Sequence, residues 1–115
     1  MSIFSNLFGP SIPTLKPLEV QEKLKNGQRP FLLDVREKHE RRAGYISGAK
    51  LIPLGELGRR MQELPRDREI VCVCRSGNRS RSAAKQLIAA GYRATNMKGG
   101  MLAWGWSKLP MKKDK

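Results

Sequence analysis

Seven consecutive residues, Cys74-Arg75-Ser76-Gly77-Asn78-Arg79-Ser80, bring together a thiol, two guanidinium groups, three hydrogen-bonding side chains and a glycine. They follow a β-branched run, Glu69-Ile70-Val71-Cys72-Val73, of the kind that forms a buried strand. From Ser80 onward Ala83, Ala84, Leu87 and Ile88 recur at helical spacing, and Gly91 stands where a helix C-terminal glycine belongs. A strand therefore feeds a tight loop and then a helix. With Gly77 allowing the sharp curvature, the backbone N–H groups of the loop converge beside the helix N-terminus, which makes an anion site. A cysteine at the start of such a loop, with Arg75 and Arg79 nearby, has its thiolate stabilised and becomes a nucleophile at neutral pH.

The bland reading of Cys74 is an inert core cysteine. The hydrogen-bonding residues and two arginines that follow it argue against that. Cys72 sits two residues earlier inside the apolar run, where core packing is the expectation, with a resolving or sulfur-accepting partner of Cys74 as the other reading. One C-x-C pair without a second is a weak metal signal, so neither a metal nor an organic cofactor is expected.

The remaining elements must place this loop. Pro17 to Lys25 reads as a short helix, with proline in its first turn and Gly27 just past its end. Pro30 to Val35 is a strand that finishes in Asp34-Val35-Arg36, and Glu37 to Arg42 a charge-dense turn or helix. A glycine-punctuated loop, Gly44 to Ala49, leads to a short strand at Lys50 to Ile52. Leu54, Leu57, Met61 and Leu64 mark one face of a helix closed by Pro65. Ala94 to Met97 is a last strand, and Gly99 to Trp104 a closing turn and helix. Strands alternating with helices predict an α/β fold with a largely parallel central sheet and helices on both faces. Ligands bind such sheets outside the carboxyl ends of the strands, and Asp34-Val35-Arg36 and the Cys74 loop both lie at such ends.

A chain of 115 residues is one domain with room for a single core. Residues 1–15 carry no charge and form an extension in which Phe4, Leu7 and Phe8 are available for docking, although a frayed terminus is the commoner outcome; Pro10 and Pro13 confine any strand there to a sheet edge. Residues 16–110 form the folded domain and residues 111–115 a basic, disordered tail. The net charge is +13, from 23 Lys and Arg against 10 Asp and Glu, which calls for an anionic substrate or an acidic partner. The cations are spread along the chain and only seven aromatics are present, so nucleic acid is not expected as the principal ligand. Without a leader or an apolar run of about 20 residues, the chain is expected to be soluble and cytoplasmic, where a working thiol stays reduced. Nothing demands more than a monomer.

Four stretches in order give the chain a close resemblance to the rhodanese family in its small single-domain form: Leu32-Leu33-Asp34-Val35-Arg36-Glu37; Gly44-Tyr45-Ile46-Ser47-Gly48-Ala49 with Ile52-Pro53; Cys74 to Ser80; and Gly99-Gly100 with Ala103-Trp104 and Leu109-Pro110. The resemblance spans about residues 17–110 and implies a rhodanese-like sulfurtransferase. In the family the loop cysteine takes the sulfane sulfur of thiosulfate or a similar donor, becomes a persulfide, and passes that sulfur to a thiol, dithiol or cyanide-type acceptor in a ping-pong cycle. Carried over, Cys74 is the nucleophile, the loop through Ser80 is the cradle, and Arg75 and Arg79 meet a sulfonate. Asp34 takes a structural hydrogen bond or ion pair with the loop, and Arg36 pairs with Glu37, Glu40 or Asp34. The family commonly has histidine where this chain has Tyr45, a position taken to be structural. The single histidine, His39, lies among charged residues and reads as solvated.

Cysteine-dependent phosphatases place their arginine six residues after the cysteine; here position six is Ser80 and the arginine falls at five, giving a cradle fitted to sulfur rather than to a tetrahedral phosphate. The serious alternative is a persulfide carrier, a relay module between proteins that turns over thiosulfate poorly. Its acceptor would be a thioredoxin-like or sulfur-carrier protein. An inactive interaction module usually lacks the cysteine, and this chain has it.

Overall fold

The computed structural model describes residues 11–114. In chain order its elements are β1 (Thr14–Leu15), α1 (Pro17–Lys25), β2 (Phe31–Asp34), α2 (Lys38–Arg42), β3 (Lys50–Leu51), a segment of short turns from Leu54 to Glu63, β4 (Ile70–Val73), α4 (Asn78–Ala89), β5 (Ala94–Met97) and α5 (Gly100–Trp106); the single α-helical turn inside the segment, Leu57–Arg60, is α3. The five strands form one sheet in the order β1-β5-β4-β2-β3, and every pairing is parallel. β1 occupies an edge, the one position open to a strand that follows Pro13.

Side chains alternate between the two faces of the sheet, and the register decides which residues meet. Leu33 lies opposite Cys72, and Cys72 opposite Asn96. On that face Leu33, Val35, Cys72 and Cys74 pack beneath Ala83, Ala84 and Leu87 of α4 and Leu57 of α3. On the other, Leu32, Val71, Val73 and Met97 pack against Val20 of α1 and Met101 and Trp104 of α5. Helices therefore cover both faces, and the central strand β4 is apolar and buried on both sides, as parallel sheets require.

Two expectations are corrected. The Leu54 to Leu64 helix is broken: a 3-10 turn (Leu54–Glu56), one α-turn and a second 3-10 turn (Met61–Glu63) follow one another. Gly55 and Gly58 weaken a continuous helix there, while Leu57 and Leu64 still reach the core. The tail after Pro110 is not disordered through Asp114. Lys112 exchanges both backbone hydrogen bonds with Tyr45 (2.8 and 2.9 Å), and buried Trp104 donates its Nε1–H to the Pro110 carbonyl (2.9 Å), a partner that a buried indole requires. Phe4, Leu7, Phe8 and Pro10 lie outside the described residues. Among the described residues no helix is long and apolar enough to cross a membrane, and no group of His, Cys, Asp and Glu side chains is arranged to hold a metal.

Candidate active site

β4 ends at Val73, so Cys74 is the first residue beyond the sheet, on the same face as Cys72. Its side chain is 1% exposed. The chain turns back over the sulfur at once: Gly77, at φ +106°, donates its N–H to Cys74 Sγ at 3.0 Å, and Ser80 Oγ lies 3.2 Å from the same sulfur. That φ suits glycine, and a Cβ at Gly77 would also press on the Gly99 amide at 3.2 Å. Asn78, Arg79 and Ser80 open α4, where first-turn amides have no acceptor within the helix.

The outer wall of the loop is held by α5. Met101 N–H bonds the Cys74 carbonyl (2.8 Å) and Leu102 N–H the Arg75 carbonyl (3.0 Å), so the first two carbonyls of the loop point away from the sulfur. Gly100 makes this approach possible: a Cβ there would collide with the carbonyls of both Cys74 and Arg75. Gly100 is thus a packing requirement of the cysteine loop, while Gly99, at φ +76°, leaves no room for a Cβ against Ala103 of α5.

The expected site residues divide into three groups. Cys74, Gly77 and Ser80 converge on the sulfur; Arg75, Ser76 and Asn78 are exposed on the outer rim of the loop. Arg75 borders a groove of about 380 Å³ shared with Arg36, His39, Glu40, Met101 and Leu102. Arg79 turns instead toward α2 and clasps Glu40, Nη1 to Oε1 at 2.6 Å and Nη2 to Oε2 at 2.7 Å. Its guanidinium is therefore ion-paired to Glu40 across to α2.

Asp34 pairs with Arg36 and not with the cysteine loop, a correction. It lies opposite Val73 in register, on the α1/α5 side of the sheet, whereas Cys74 points to the α4 side. Of the three partners considered for Arg36, its side chain takes Asp34, with Nε to Oδ1 at 2.9 Å and Nη2 to Oδ2 at 2.8 Å, and its Nη2 also donates to the Gly44 carbonyl at 2.8 Å. Glu40 enters only through its backbone carbonyl, at 3.3 Å. His39 is exposed, as expected for a solvated residue. Cys72 is fully buried, and burial, with a smaller contribution from neighbouring Cys74, pushes its thiol up to about 12. It packs in the core as an unreactive thiol.

One buried contact was not anticipated from sequence. Asn96 accepts the Ser80 hydroxyl proton at 2.6 Å and donates its Nδ2 to the Gly77 carbonyl at 3.3 Å. A single amide side chain within the short strand Ala94-Thr95-Asn96-Met97, buried on both faces, was the available signal.

The Arg79 hydrogen bonds hold the Glu40 carboxyl at about 2, below its ordinary 4.5, against the opposing effect of burial. A lowered carboxyl stabilises the fold fully above pH 4.5 and loses that contribution as pH falls toward 2. Glu40→Gln is therefore expected to cost about 1 kcal/mol at pH 7, the pair being partly solvent-screened. The gap should close as pH falls toward 2, read by urea denaturation of both proteins across pH 7 to 2. A gap independent of pH contradicts the pairing.

A buried cysteine at the base of a strand-loop-helix turn at the carboxyl end of a parallel sheet, with the Gly77 N–H donated to its sulfur and Ser80 Oγ beside it, defines a domain built around one sulfur centre. The rhodanese-like domain family matches residues 16–105, and the chain belongs to that family. Among its relatives, a protein of Allochromatium vinosum named "Sulfurtransferase" is 37% identical over 93 residues, covering 80% of this chain and 87% of that protein. The "Putative sulfur carrier protein YrkF" of Bacillus subtilis is 36% identical over 95 residues, 82% of this chain and 51% of that protein. The crystal structure of a rhodanese-like domain protein from Staphylococcus aureus superposes with a TM-score of 0.83 at 30% identity, over 90% of this chain and all of that one. The fold is therefore rhodanese-like, and the chain is related to sulfurtransferases and sulfur carriers.

Proposed function

We propose that the domain transfers sulfane sulfur through a persulfide on Cys74. The observation that carries this reading is a cysteine sulfur folded under its own loop at a helix N-terminus, with the Gly77 N–H donated to it at 3.0 Å and Ser80 Oγ 3.2 Å away. The reacting species is the thiolate, which the loop can meet with N–H groups and no opposing carbonyl from Cys74 or Arg75. The thiolate attacks the outer sulfur of thiosulfate or a similar donor; the donor's S–S bond breaks, sulfite leaves with its electron pair, and Cys74 carries the sulfur as a persulfide anion. An acceptor thiolate or cyanide then attacks the outer sulfur and returns Cys74 as thiolate. Atoms and charge balance without metal or organic cofactor.

Charge on the outer sulfur is met by the first-turn amides of α4 together with the rest of the loop through Ser76 and Asn78. With Arg79 committed to Glu40, Arg75 is the loop guanidinium left to meet an anionic donor approaching along the groove. A reduced cytoplasm suits this thiol, and the domain acts as a monomer on a small anionic donor.

Initial rates measured against thiosulfate and cyanide together are expected to give parallel double-reciprocal lines, the pattern of a covalent intermediate. Intersecting lines would require both substrates on the protein at once and contradict it. A second reading is supported by the name of the YrkF relative and by the net charge of +13: a relay that receives sulfur from one protein and delivers it to an acidic partner such as a sulfur-carrier or thioredoxin-like protein. Slow thiosulfate turnover beside fast protein-to-protein transfer distinguishes it.

A further inference from the structure

Three buried side chains and one peptide close a ring around the sulfur. Ser80 is 0% exposed and Asn96 7%. Cys74 Sγ meets Ser80 Oγ, Ser80 donates to Asn96 Oδ1, Asn96 Nδ2 donates to the Gly77 carbonyl, and the Gly77 N–H returns to Cys74 Sγ. The orientation of the Asn96 amide is set by its partners, because the Gly77 carbonyl can only accept and the Ser80 hydroxyl has a proton to give.

A hydroxyl has one proton. With Ser80 donating to Asn96 Oδ1 at 2.6 Å, the contact at 3.2 Å satisfies Cys74 only if the sulfur is the donor, that is, a thiol. When Cys74 ionises and its proton leaves to solvent, the thiolate can only accept, so Ser80 must turn from the amide oxygen to the sulfur. We propose that Asn96 is a positioning residue that sets the balance between thiol and thiolate at Cys74 by competing with the sulfur for the Ser80 proton. In the persulfide the negative charge moves to the outer sulfur, and Ser80 is free to return to Asn96. The ring thus favours the resting thiol and the loaded persulfide over the bare thiolate, which protects the site from indiscriminate reaction between turnovers.

Arg79 of α4, tied to Glu40 of α2, also acts on Cys74 and is constant in the variants that test this, while the neighbouring Cys72 thiol of β4 is removed alike from all of them by a shared Cys72→Ala substitution. α5 contributes backbone amides, Arg75 is exposed, and β5 faces the sulfur with Asn96. The Gly77 peptide also stays held without Asn96, since its carbonyl accepts the Arg81 N–H at 3.2 Å.

The inference rests on Cys74 being the reactive thiol of the proposed function. Its test needs no sulfur donor, so the two can fail separately. In a Cys72→Ala background, the ultraviolet absorbance of the thiolate is followed against pH, with Cys74→Ser as the blank. Ser80→Ala is expected to raise the midpoint and Asn96→Ala to lower it by about half a pH unit or more, since a hydrogen bond to the charged form is released to it. Added to Ser80→Ala, the Asn96 substitution is expected to have no further effect. A midpoint that stays or rises in Asn96→Ala, or that falls equally without Ser80, overturns the proposal. A residue that merely supports the fold would lower the melting temperature without moving the midpoint. If Asn96→Ala does not fold, Asn96→Leu, larger and also without an acceptor, carries the same expectations.

Discussion

Cys74→Ser is expected to reduce sulfur transfer from thiosulfate by at least about a thousand-fold, to the level of the uncatalysed reaction, as loss of a covalent nucleophile does. The hydroxyl can still accept the Gly77 N–H and meet Ser80, so the loop keeps its shape and the melting temperature is expected to stay within about 2 °C of wild type. What is lost is the sulfur atom that forms the sulfur–sulfur bond. Transfer assays with thiosulfate and cyanide, beside a circular dichroism melt, separate chemistry from fold. Substantial transfer by a folded Cys74→Ser protein would place the nucleophile elsewhere, and Cys72, fully buried with its thiol pushed up to about 12, is a poor substitute.

The largest loss of stability is expected at Arg36. Asp34 and Arg36 are 1% and 5% exposed, and the guanidinium also satisfies the Gly44 carbonyl. Arg36→Met leaves a buried carboxylate without a counter-charge and a carbonyl without a donor, at a cost of about 3–5 kcal/mol by urea denaturation at pH 7. Replacing both partners, Asp34→Leu with Arg36→Met, removes the uncompensated charge and is expected to recover more than half of that loss. If the single substitution costs under about 1 kcal/mol, the pair does not hold the end of β2. Any effect of Arg36→Met on transfer is indirect, through the groove it shares with Arg75.

Much of this arrangement is legible in the chain itself. The β-branched run, the glycine inside the polar loop and the alanine-rich stretch after it locate strand, turn and helix, and with them the thiol. Proline at the start of α1, and Gly27 and Gly91 at positive φ after α1 and α4, mark helix ends because few other residues suit those positions. What escaped the sequence depends on contacts between distant segments. Whether Asp34 faces the cysteine loop turns on strand register and parity, which composition does not carry. Arg79 finds Glu40 39 residues away, and Asn96 of β5 reaches back 16 residues to Ser80 in the first turn of α4. The apolar spacing from Leu54 to Leu64 correctly marks a buried face, but Gly55 and Gly58 let that face be built from short turns rather than one helix. The tail after Pro110 looked unstructured because its order comes from Trp104 and Tyr45 rather than from its own residues.

The decisive measurement is the intact mass of the protein after brief exposure to thiosulfate, wild type beside Cys74→Ser. A gain of one sulfur atom in wild type alone, reversed by cyanide, is the expected result and places a persulfide on Cys74. An equal gain in both proteins, or a gain in neither with thiosulfate, polysulfide or a protein persulfide as donor, contradicts sulfur transfer through this cysteine.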